Sequence, residues 1–206
     1  MRQFRPGFFG RIVFNDAVFR VPEKQNALYL TFDDGPDPES TPEVLKILAA
    51  RNINALFFCN GQRAERYPLL MNNIKTAGHM IGNHGYDHLD GWTTGTQKYL
   101  DDISKASYYT SDTLFRPPYG RIRYSQYKNL AANYIIFFWD IMPYDFDIKF
   151  GRERSLMALE KKRRPGSVIV LHDRADSLCS SILADFIDNS IVRGYIFKLP
   201  DVSCKK

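Results

Sequence analysis

Two adjacent carboxylates, Asp33 and Asp34, and two histidines four residues apart, His84 and His88, stand in a chain of 206 residues with only four histidines. A third histidine, His172, lies far downstream, with Arg116 and Asp145 in between. Imidazoles at i and i+4 share one face if the segment makes a helical turn, and two such nitrogens can hold one metal ion. A zincin requires glutamate directly after the first histidine; Gly85 stands there, so that metalloprotease reading fails. HxxxH alone is weak evidence. Joined to two carboxylates, a distant histidine and an arginine, it completes the parts of metal-assisted hydrolysis: ligands, a base, an acid and a cation to orient them.

These residues must be brought together by the elements that carry them. Apolar runs at 27–32, 55–59, 79–82, 113–115, 134–139, 167–171 and 195–199 read as strands. Between the first two, Ser40-Thr41-Pro42-Glu43 before VLKILAA reads as a capping box opening a helix. Segments 67–77, 94–111, 125–132, 152–162 and 178–193 have helical spacing, the first closed by Gly78. Such alternation predicts parallel strands with crossover helices, as an open doubly wound sheet or a closed barrel. Both put chemistry beyond the carboxyl ends of strands. No GxGxxG or GxxxxGK[ST] loop follows a strand, which removes the main support for nucleotide binding and favours the barrel. Asp33 and Asp34 follow the first strand, His84 and His88 the third, Arg116 the fourth, Asp145 the fifth and His172 the sixth. An Asp-Gly pair often turns a hairpin, but here a helix follows instead of a second strand.

Composition narrows the class. With 44% apolar residues the chain can build a sizeable core without a staple, so a bound metal would serve chemistry. Cys59, Cys179 and Cys204 form no CxxC pair, excluding a disulfide-rich scaffold and a thiolate zinc site; one disulfide stays open. No run of about 18 apolar residues is present, so no membrane-spanning helix is expected. The start lacks a clear apolar region followed by a small-residue cleavage site, which gives the expectation of a cytoplasmic protein, although a wall-polymer substrate would imply export. The net charge of +5 suits an acidic polymer, nucleic acid or anionic glycan alike. The run Lys161-Lys162-Arg163-Arg164 reads as a solvated helix end. Residues 1–26 are expected to pack on a single domain of 27–206.

Read in order, TFDDGP, NHGYDH, RPPYG, WDIMPYDF and VLHD resemble the five motifs of the polysaccharide deacetylases with the NodB homology domain, carbohydrate esterase family 4. Five ordered motifs from Ala27 to Leu199 are far more specific than any one of them. The resemblance implies an α/β fold, a distorted (β/α) barrel of about seven parallel strands. It implies Asp34, His84 and His88 as ligands of a divalent ion, zinc foremost, with cobalt or nickel as alternatives. Asp33 would be the general base, oriented by Arg116, and His172 the general acid, held protonated by Asp145. The backbone N–H of Tyr119 would help to stabilise the oxyanion, and Pro117, Phe146 and Leu171 would contact substrate.

The implied activity is removal of the N-acetyl group from N-acetylglucosamine residues of peptidoglycan, chitin or their oligosaccharides, with a glycan and not nucleic acid as partner. An O-acetyl esterase on a xylan-type polysaccharide and a silent glycan-binding protein are the alternatives, and oligomeric state stays open. Two positions depart from the family: Gly85, where serine or threonine usually fixes the loop, and Phe146, where tryptophan is frequent. The first puts loop rigidity and metal affinity in question, the second the shape of the acetyl pocket. Trp92, Tyr86, Tyr124 and Tyr127 are read as packing residues before sugar platforms, and Met142 as an ordinary core or loop residue.

Overall fold

The computed structural model describes residues 4, 5 and 7–202; Cys204 lies outside them. In chain order the elements are α1 (Phe8–Val13), β1 (Ala27–Asp33), α2 (Ser40–Ala49), β2 (Leu56–Cys59), α3 (Gly61–Arg66), α4 (Pro68–Thr76), β3 (Met80–Asn83), α5 (Thr96–Ser107), β4 (Leu114–Phe115), α6 (Tyr124–Leu130), β5 (Ile135–Ile136), α7 (Arg152–Lys162), β6 (Val168–His172), α8 (Cys179–Val192) and β7 (Ile196–Phe197). All strand pairs are parallel, in the order β5-β4-β3-β2-β1-β6, with β7 against the start of β1. Between the edges, β5 and β6, a single bridge of Ile141 to Ile169 spans the gap. The result is the expected distorted barrel, curled but incompletely closed.

Both faces of β1 are covered, so its seven residues are all buried and read as a nearly continuous apolar run. Leu28, Leu30 and Phe32 point outward into a core shared with Val44 and Leu48 of α2 and Ile182 and Phe186 of α8. The alternate residues Thr31 and Asp33 meet Arg116 inside the barrel. In β6 the same alternation sends Ile169 and Leu171 into the helix-facing core and leaves Val170 and His172 toward the interior. Register sets Asp33 beside both Phe58 and His172, and Cys59 beside Asn83, so the strands end nearly level.

Several expectations are corrected. The run 134–139 forms only a two-residue strand because its partners change: Phe137 N–H donates to Phe115, Phe138 N–H to Val18, and Asp140 N–H to Val168. The capping box at Ser40 does not form. Asp37 accepts from the N–H groups of Glu39 and Ser40, while the Thr41 hydroxyl is diverted to buried Asp173. Helix α3 escapes the periodicity reading; its signal is Asn60, whose side chain accepts from Arg63 N–H. In the basic run only Lys161 is exposed. Arg163 is buried on the Ser190 hydroxyl, and Arg164 binds Asp140, which Arg11 also meets. The N-terminal segment lies on the barrel through bridges of Val18 to Phe137 and Arg20 to Ser167.

Candidate active site

A cavity of about 290 Å³ opens at the carboxyl ends of the strands, bordered by Asp33, Asp34, His84, His88, Tyr119, Phe146 and His172 among others. Strand β1 runs directly into Asp33 and Asp34. Asp34 takes φ +76, a left-handed backbone that non-glycine residues adopt rarely. Asp34 Oδ1 lies 3.4 Å from His84 Nε2 and 3.1 Å from His88 Nε2. Burial works against its charge, but the facing imidazoles hold its carboxyl well below the usual range.

His84 follows β3, and its Nδ1–H donates to the carbonyl of Arg116 at 2.8 Å. A carbonyl can only accept, so this bond keeps a proton on Nδ1 and turns Nε2 toward Asp34. Segment 84–88 is not the helical turn that the i, i+4 spacing suggested. The rings converge through a loop in which Gly85 has φ +73 and His88 φ +56. Asn83 Oδ1 accepts from Gly85 N–H, and Asp102 on α5 accepts from the N–H groups of Tyr86 and Asp87. A Cβ at position 85 would lie 2.9 Å from Asp102 Oδ2, so glycine permits the approach that braces this loop. Asp102 stands outside every motif and acts on backbone 15 and 16 residues away, and Asn83, although it opens the NHGYDH run, carried no assigned role.

Asp34, His84 and His88 offer ligand atoms within 4.8 Å of one another and form a candidate metal centre. One carboxylate and two imidazoles, one of them held through Nδ1 by a backbone carbonyl, suit a divalent ion.

Two charge pairs flank this centre. Arg116 is wholly buried inside the barrel, where Nη1 donates to Asp33 Oδ1 and Thr31 Oγ1 at 2.7 Å each, and Nη2 to the carbonyl of Phe138 at 2.8 Å. Its guanidinium also stacks 4.2 Å from the Phe58 ring centre. On the other side, His172 Nδ1–H donates to Asp145 Oδ1 at 2.9 Å while its backbone N–H donates to Oδ2 at 2.7 Å. Burial opposes the imidazolium, but Asp145, aided by Asp34 and Asp33, pushes His172 up to about 9. Phe146 packs edge-on against this ring, centres 4.9 Å apart.

The remaining expected residues separate. Tyr119 borders the cavity with φ +59 and its ring 4.6 Å from His88. Pro117 is buried outside the cavity lining, and Leu171 is not in the lining either: strand alternation turns it into the helix-facing core. Val170, Trp139 and Met142 line the cavity instead, so Met142 is more than an ordinary core or loop residue. Gly120 lets the Trp139 ring approach to 2.4 Å of where a Cβ would stand. Tyr86 and Tyr127 are buried, whereas Trp92 and Tyr124 are exposed outside the cavity lining. Asp173 is also buried, held by Thr41, and burial pushes its carboxyl up to about 6. Arg121 and Arg174 complete the rim, with no motif to announce them.

Comparison with known proteins agrees with this architecture. Residues 20–135 match the family model for polysaccharide deacetylase. A peptidoglycan-N-acetylglucosamine deacetylase of Bacillus cereus is 31% identical over 191 residues, covering 88% of this chain and 89% of that protein. A chitooligosaccharide deacetylase of Azorhizobium caulinodans is 32% identical over 166 residues, covering 75% of this chain and 77% of the other. The solved structure of Bacillus subtilis PdaA, a family 4 carbohydrate esterase, superimposes with a TM-score of 0.81 at 27% identity, covering 94% of this chain and 87% of that one. By its ordered motifs, its barrel and these likenesses, the chain belongs to the polysaccharide deacetylase family, carbohydrate esterase family 4.

Proposed function

We propose that this protein is a metal-dependent N-deacetylase that hydrolyses the acetamide of N-acetylglucosamine residues in a peptidoglycan- or chitin-type glycan, releasing acetate and a free amino sugar. The observation that carries the reading is the placement of Asp33, bonded to Arg116, and His172, bonded to Asp145, in one cavity with the Asp34, His84 and His88 cluster.

Asp34, His84 and His88 would hold a divalent ion, zinc by the chemistry of the donor set, which when bound would supply Lewis-acid polarisation of the acetamide carbonyl and the attacking water. Asp33, its second oxygen free of Arg116, accepts the proton from that water. Arg116 orients this base through its bond to Oδ1. Attack puts negative charge on the former carbonyl oxygen, where the backbone N–H of Tyr119 is the proposed donor. Collapse requires a proton on the departing nitrogen. His172, whose Nδ1–H is taken by Asp145, delivers it from Nε2. An amine leaves far less readily than an alcohol without protonation, so a histidine held charged suits amide hydrolysis before ester hydrolysis. Phe146, Met142 and Trp139 give the acetyl methyl an apolar wall.

The test is acetate release from chitooligosaccharides and peptidoglycan by metal-stripped protein, before and after zinc or cobalt is restored, with Asp33→Asn as control. Release that needs the metal and vanishes in the variant is expected. Metal-loaded protein that releases acetate only from acetylated xylan, or binds glycan without turnover, would overturn the proposal.

A further inference from the structure

Arg174 stands two residues beyond His172 and borders the cavity. Its Nε and Nη2 form a fork on the carboxylate of Asp176, at 2.8 Å from Oδ1 and 3.0 Å from Oδ2. A two-point contact of this kind fixes the guanidinium plane. The nitrogen left over, Nη1, donates to Asp34 Oδ2 at 3.3 Å. The two oxygens of Asp34 are therefore divided: Oδ1 faces the Nε2 atoms of His84 and His88, and Oδ2 faces Arg174. Asp34 is itself buried on a left-handed backbone, so its short side chain has little room to redistribute these contacts.

We propose that Arg174 is a positioning residue that engages Asp34 Oδ2, so that Asp34 ligates through Oδ1 alone, and that its charge loosens the site's hold on a dication. The inference rests on the metal reading of Asp34, His84 and His88. One carboxylate oxygen and two imidazoles leave coordination positions for water and acetamide; a second carboxylate oxygen would take one of them. The fixed cation also repels the ion, a cost that solvent reduces but does not abolish, because the Arg174 side chain is 31% exposed. Tighter binding and a more open coordination sphere are thus opposed, and Arg174 shifts the balance toward openness.

The experiment uses the full chain, stripped of metal, as wild type, Arg174→Met and Arg174→Lys, with circular dichroism and melting temperature compared first. Zinc affinity is read by competition with a chromogenic chelator, and coordination by the visible absorption of added cobalt. Arg174→Met is expected to bind zinc on the order of tenfold more tightly, because repulsion is removed and Oδ2 is freed. Its cobalt bands should weaken as coordination number rises, and kcat should fall. Arg174→Lys, which keeps the charge, should stay within about threefold of wild-type affinity. Asp176→Asn should move affinity and spectrum in the direction of Arg174→Met by less. Wild-type affinity and spectrum in Arg174→Met, or weaker zinc binding, would refute the role. Wild-type protein that binds no cobalt, or binds it undiminished after His84→Ala, would overturn the metal reading and the proposal with it.

Discussion

Replacing Asp145 by asparagine removes one charge while keeping the shape of the side chain, and the structure gives the size of the consequence. In the intact site burial resists the imidazolium of His172, yet Asp145, bonded at 2.9 Å, with Asp34 and Asp33 behind it, holds the group at about 9 against an ordinary 6.5. That difference corresponds to about 3 kcal/mol in favour of the charged form, on a side chain only 14% exposed and hence little screened. In Asp145→Asn the largest opposing influence, burial, acts against much weaker support, and His172 should fall to its ordinary value or below. The alkaline limb of kcat/KM then moves from near 9 to 6.5 or lower. At pH 8 this alone reduces activity about 30-fold or more, and the gap narrows toward pH 5.5. Titration of the His172 ring by NMR in metal-free protein reads the change directly. Stability carries the same signature: the folded group is raised above its unfolded value, so its stabilisation is full below about pH 6.5 and lost as pH rises through about 9. Wild-type melting temperature should fall more over that window than the variant's. A variant whose alkaline limb and ring titration both stay near 9 would refute the assignment of Asp145 as the source of the charge on His172.

Gly85→Ser, the residue usual in the family, should destabilise the fold by about 1–3 kcal/mol in urea titration, because position 85 has φ +73 and a Cβ there meets Asp102. It should also weaken metal binding; a stable, tighter-binding Gly85→Ser would show that the loop does not need glycine. Arg116→Met leaves Asp33 as a buried carboxylate without its partner and should cost about 3–5 kcal/mol. Equilibrium unfolding within 1 kcal/mol of wild type would mean that the buried pair is not what holds Asp33 in place.

Much of the fold and site was legible in the chain. Asp33, Asp34, His84, Arg116 and His172 could be found because each stands within two residues of the end of an apolar run, and His88 and Asp145 follow six residues beyond one, while a barrel gathers strand ends at one rim. The number and parallel sense of the strands followed from their alternation with helical segments. Where the reading failed, local pattern competed with distant partners. Ser40 and Thr41 look like a helix cap, but buried Asp173, 132 residues from Thr41, takes the threonine hydroxyl. Arg163 and Arg164 look solvated, but Ser190 and Asp140 claim them. Gly85 reads as a loosened loop, yet the left-handed turn and the approach of Asp102 demand it.

The sequence by itself determined which chemistry was available and roughly where along the chain each group would stand, because residue type and apolar period are local properties. Only the tertiary structure decided which oxygen of Asp34 meets the histidines and which meets Arg174, and which nitrogen of His84 faces Asp34. It also decided that Val170 rather than Leu171 borders the cavity. Those choices depend on strand register, side-chain alternation and backbone carbonyls supplied from distant elements. Spacing along one chain cannot encode them: a shift of one residue in register would exchange the faces of Val170 and Leu171, and the partners of Asp34 and His84 come from elements far away in sequence.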